Sequence, residues 1–155
     1  MSLPKEEVIS ILHSLIEICR DGNQGFRDAG DDVKDDKLRS LLYEYSDQRM
    51  NFSLELKDIV EKMGGDINVG GSILGAFHRR WMDIKFGVIG SKTDSILNEC
   101  LRGEHVALKK YEDALIRGLP DDVKNVVQRQ YNEIKKAVEN LNKLVETYGL
   151  SSFSY

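Results

Sequence analysis

Three histidines, two cysteines and 26 acidic residues are the side chains of this 155-residue sequence that could bind metal or move protons. A di-metal centre inside a helical bundle takes a Glu from each of two helices and a Glu-x-x-His pair from each of the other two. The carboxylates balance the cationic charge and the imidazoles complete the coordination. Glu44 with Asp47 and Glu55 with Asp58 have the pair spacing, but a carboxylate stands where imidazole is needed. Lys136 follows Glu133 and Asn142 follows Glu139 at the same interval. The histidines lie elsewhere, at His13, His78 and His105, and helical angles put His13 and His105 off the centres of their apolar stripes, at the surface or rim. A metal, iron or another divalent ion, would therefore have to use an incomplete set: Glu44, Glu55, Glu104 and Glu133. No cofactor is predicted.

Cys19 and Cys100 permit at most one disulfide and lack the close Cys or His spacing of a zinc or redox motif. Both fall on apolar stripes, which predicts buried, reduced thiols. Gly64-Gly65 and Gly70-Gly71 are not followed by Gly-Lys-Ser or Gly-Lys-Thr, so they read as loop glycines rather than a phosphate cradle. No Ser-His-Asp arrangement is legible, and the sequence leans away from an enzyme.

The elements that position these residues are helical. Hydrophobic residues make up 41% and charged residues 31% of a chain with only two prolines, the balance of a soluble helical protein of one domain. A net charge of −4 without a basic run argues against nucleic acid. The N-terminal segment has no apolar signal core, and no run approaches the ~18 apolar residues of a membrane span, so a cytoplasmic protein is expected.

Apolar residues at spacings of three and four predict four helices, at about 4–29, 35–63, 92–117 and 120–148. Pro4 suits a first turn, Gly30, Gly64-Gly65, Gly118 and Gly149 suit helix ends, and the tail from Ser151 is expected to be loose. The cysteines sit in Cys19-Arg20-Asp21-Gly22 and Cys100-Leu101-Arg102-Gly103, at matching points of the first and third helices. The chain thus reads as two similar helical hairpins. Residues 64–91 join them, too many for a simple turn, with a short helix expected at about 72–85. Two hairpins joined by a long crossover give an all-α, ferritin-like four-helix bundle.

One polar residue per helix interrupts the apolar stripes: Asn23, Arg49, Glu104 and Gln130. Counting from the helix starts places Arg49 and Glu104 at the same depth, about 20 Å down the bundle at 1.5 Å per residue, with Gln130 near that level and Asn23 nearer the end by the first turn. The expectation is a buried Arg49–Glu104 ion pair whose hydrogen bonds are completed by Gln130 and by Tyr45, Tyr111 or Tyr131. The alternative is an Arg49 that reaches solvent between helices, with Glu104 on a rim.

Several segments also carry a resemblance. They are Leu15-Ile16-Glu17 with Cys19 and Asp21-Gly22, leading to Gly25-Phe26-Arg27; Glu44-Tyr45-Ser46 with Gln48-Arg49; His78-Arg79 with Trp81-Met82; and Cys100 with Gly103-Glu104 and Tyr111-Glu112. In them the chain resembles, over almost its whole length, the uncharacterised bacterial four-helix-bundle proteins of ferritin-like fold, a domain-of-unknown-function family. The resemblance implies the fold and supplies no catalytic residue.

The crossover is rich in apolar and basic residues, and Phe77, Arg80, Trp81 and Phe86 are its candidate interface. It reads as a lid across the bundle, or as an amphipathic surface for self-association or peripheral membrane contact. Three functions compete: a non-enzymatic interaction or self-associating module; a metal-binding protein or oxidase; and a membrane-surface or stress-associated protein acting through the crossover.

Overall fold

The computed structural model describes residues 3–67 and 92–153, with the side chains of residue 92 and residues 149–153 outside that description. Four helices account for nearly all of it: α1 (Lys5–Asp32), α2 (Asp36–Lys62), α3 (Lys92–Leu115) and α4 (Asp121–Phe153). The helix expected at 72–85, with Phe77, Arg80, Trp81 and Phe86, lies outside the described residues. None of the described helices is long and apolar enough to cross a membrane.

Local chemistry accounts for most of the boundaries. The Pro4 carbonyl accepts the amides of Glu7 and Val8, and Glu6 and Glu7 place negative charge at the positive end of α1. Asp35 caps α2 by accepting from the Lys37 and Leu38 amides at 2.9 and 3.1 Å. Gly64 and Gly118, both at φ +80°, make the left-handed turns that follow α2 and α3.

Two expected ends are overrun. Gly30 does not stop α1, which continues to Asp32. Its Cα face lies against the Tyr43 ring, where a methyl group would come within 2.6 Å of Cε1, and the chain turns only once Val33 is buried. Gly149 does not stop α4 either. The helix runs to Phe153, and Tyr148 has its hydroxyl on the Asp35 carboxylate, which ties the last turns of α4 to the cap of α2.

Each of the two hairpins, α1 with α2 and α3 with α4, packs closely, and they join chiefly through α1 against α3. The α2–α4 approach is looser, while α2 with α3 and α1 with α4 are the diagonals. Leu38 and Leu97, early in α2 and α3, share one apolar cluster, and Leu56 and Tyr111, late in the same helices, share the other. Thus α2 and α3 run parallel, and the end of α2 and the start of α3 lie at opposite ends of the bundle. The two clusters are separate because a layer of polar side chains stands between them.

Candidate functional site

That layer is built around Arg49 of α2 and Glu104 of α3, which are 1% and 2% exposed. The two helices are diagonal neighbours, so the side chains reach across the centre of the bundle. They join fork to fork, Nη1 donating to Oε1 and Nη2 to Oε2, the latter at 2.5 Å. The Phe26 ring faces the guanidinium with its centroid 5.3 Å from Cζ, and Tyr45 packs on Phe26. Burial opposes the Arg49 charge, and the Glu104 carboxylate more than offsets it, so the guanidinium holds its proton more tightly than a free arginine.

Small residues make this geometry possible. Gly22 of α1 lies against the Arg49 stem, and with Gly103 it leaves a narrow gap beside the pair, lined also by Ile18, Phe26, Cys100 and Ala107. Cys100 is fully buried, and burial followed by the Glu104 charge pushes its thiol pKa well up.

The expected helpers of the pair are engaged elsewhere. Gln130 Oε1 accepts from the Tyr111 hydroxyl at 2.6 Å, while its amide donates to Glu55 at 2.8 Å and to the Phe52 carbonyl at 3.4 Å. The Tyr111 proton is therefore spent on Gln130, and the Cys19 thiol, 3.0 Å away, donates to the Tyr111 oxygen. Burial raises the Cys19 thiol to about 11. Arg129 closes the chain at the surface by pairing with Glu55. This relay touches all four helices in turn, Cys19, Tyr111, Gln130 and Glu55, beside the ion pair rather than within it.

Tyr45 accepts from Asn140, and Tyr131 donates to Glu112 at the surface, so neither completes the pair. Arg49 Nε instead donates to Gln48 at 3.3 Å. Asn23 is not at the first turn. It bonds both the carbonyl and the hydroxyl of Ser46 at 2.9 Å, one residue from the Gly22–Arg49 contact and hence at mid-bundle, because α1 continues well past it.

An internal symmetry underlies the layer. The displacement along the chain that carries Cys19 onto Cys100 also carries Gly22 onto Gly103, Asn23 onto Glu104 and Arg49 onto Gln130. One diagonal is thus charged and the other has two amides. The amides do not meet. They are shorter in reach than the Arg–Glu pair and find hydroxyl partners on adjacent helices.

The alternative carboxylate set does not converge. Glu44 is exposed, Glu55 is held by Gln130 and Arg129, Glu133 pairs with Lys136, and Glu104 is committed to Arg49. Among the described residues no three His, Cys, Asp or Glu side chains come together as a metal site. His13 contacts the Asp66 carbonyl and His105 is exposed. These donors do not fit a di-metal centre.

One buried charge-bearing residue escapes the pattern of the sequence altogether. Asp21 is fully buried, with both carboxylate oxygens lacking hydrogen-bond partners among the described residues. Burial, with the Glu17 charge adding to it and Arg20 partly relieving it, raises its pKa from 3.8 to about 7. Asp21 lies far round α1 from the apolar stripe, so spacing assigns it to solvent, and its place in the Cys19-Arg20-Asp21-Gly22 repeat does not mark it as buried.

The fold and site define a four-helix, all-α protein of two hairpins, with an ion pair spanning one diagonal of its core. Residues 7–117 match the domain of unknown function DUF2383, and the chain belongs to that family. The match spans α1 to α3, with Cys19, Gly22, Arg49, Glu104 and Tyr111, whereas Gln130 lies beyond it on α4. No curated protein matches the chain.

Proposed function

We propose that this protein is a ferritin-like bundle without di-metal chemistry, acting as a non-enzymatic interaction or self-associating module. One observation carries the reading: the Arg49 guanidinium lies across the bundle centre, bound by Glu104. In a ferritin-like bundle that region holds inward-pointing carboxylates and their cations. Arginine stays charged under all ordinary conditions, so it takes the place of a cation, satisfies the Glu104 carboxylate and repels any metal nearby. The parallel α2 and α3, joined from opposite ends of the bundle, support the kinship.

The test is metal analysis of protein purified without chelators, followed by ferrous iron titration with an oxidation assay. The expected result is far less than one iron per chain and no oxidation above the buffer rate. Stoichiometric iron would favour the oxidase reading and overturn this one.

A further inference from the structure

An exposed flank of α2, on the side where Tyr43 packs against Gly30 of α1, carries a second pattern. Tyr43, Asp47, Met50, Leu54, Lys57 and Glu61 recur at alternating intervals of four and three, the seam period of paired helices. Lys57 is half-buried and the others are exposed, with Leu54 at 52%, Met50 at 38% and Tyr43 at 36%. Asp47 and Lys57 bracket the two aliphatic residues, and neither has an ion partner among the described residues. At the Tyr43 end of the seam, Arg27 and Asp31 of α1 join Tyr43, Ser46 and Asp47 in lining an open cleft.

We propose that this face binds the same face of a second copy of the chain, α2 against α2, antiparallel about a two-fold axis at the level of Phe52. The charges select both occupant and direction. About that axis Met50 meets the partner's Leu54 and Asp47 meets the partner's Lys57, each contact occurring twice, as a self-complementary interface requires. A parallel pairing would set Asp47 against Asp47 and Lys57 against Lys57, which like-charge repulsion disfavours. A single helix pair falls below the ~1,200 Å² of a standard interface, so the dimer is weak and forms at high protein concentration. The proposal rests on the self-associating reading above and supplies its surface.

Sedimentation velocity of the full chain over a wide concentration range tests it, with circular dichroism to confirm that each variant is folded. The parent should show a reversible monomer–dimer equilibrium. Asp47→Lys sets lysine against the partner's Lys57 and should weaken association by at least about tenfold, and Lys57→Asp should do the same with the opposite charge. The double variant Asp47→Lys/Lys57→Asp restores opposite charges only in the antiparallel arrangement and should return to within about threefold of the parent. A parent that stays monomeric throughout, a dimer indifferent to both single changes, or a double variant no tighter than the singles would each overturn the proposal. Any of these leaves the metal-free reading to the iron titration, and stoichiometric iron in a protein that still dimerises through α2 would remove that reading alone.

Discussion

A methyl group built on Gly22 would lie 3.2 Å from Arg49 Cγ and 3.5 Å from its Nη1, so the absent side chain on α1 is what admits the arginine of α2. Arg49 cannot easily yield, because Glu104 holds its far end across the bundle. Gly22→Ala should gain about 1 kcal/mol in helix propensity and lose about 1–3 kcal/mol to overpacking, for a net loss of about 1 kcal/mol in urea unfolding. In an Arg49→Met background, with the branched head gone, the same change should be neutral or stabilising. A Gly22→Ala protein as stable as the parent would show that Arg49 moves freely.

Removing one charge of the buried pair strands the other. Arg49→Met should cost about 3–5 kcal/mol, because Glu104 then keeps a carboxylate in the core without its fork partner. The double variant Arg49→Met/Glu104→Leu should recover most of that loss. Chemical denaturation of the two variants and the parent measures the difference, and equal stability of Arg49→Met and parent would contradict the buried pair.

Asp21 gives stability an unusual dependence on pH. Its folded pKa of about 7 lies above the ordinary 3.8, so between these values the folded chain binds more protons than the unfolded one. Stability contributed at this position is therefore lost as pH rises from about 4 to about 7 and stays lost above that. Asp21→Asn, neutral throughout, should match the parent at pH 4 and exceed it at pH 8 by up to ~4 kcal/mol, the free energy equivalent of the full pKa difference. Thermal or urea unfolding across this range checks it, and a gap that does not grow with pH would exclude a buried acid here.

The two thiols should be silent in the folded protein. Cys19 and Cys100 are buried, and burial pushes both thiol pKa values up, to about 11 for Cys19. A disulfide-exchange reagent at pH 8 should label neither at an appreciable rate and both promptly in denaturant, since the thiolate is the reactive form. Cys19→Ala should also cost about 1–3 kcal/mol, through lost packing and the lost bond to Tyr111. Fast labelling of the native chain would place a cysteine at the surface.

Much of this architecture follows from periodicity. The apolar stripes locate four helices, and their interruptions single out Asn23, Arg49, Glu104 and Gln130, because a polar residue at a core angle must be buried wherever its helix packs. Helix ends were less legible. Glycine is a common terminator, so spacing alone puts stops at Gly30 and Gly149, whereas a ring packed on Gly30 and the Tyr148–Asp35 bond go with longer helices.

By itself the sequence determined the helical class, the buried face of each helix and the residues that break those faces, since all of these depend on angles within one helix. Only the tertiary structure decided who meets whom. Arg49 reaches Glu104 across the diagonal, Gln130 turns to Tyr111 and Glu55, Asn23 settles on Ser46, and Asp21 is buried on a face that spacing gives to solvent. Partnership and burial there depend on how close neighbouring helices come, and that is set by the packing of all four together rather than by the spacing within any one.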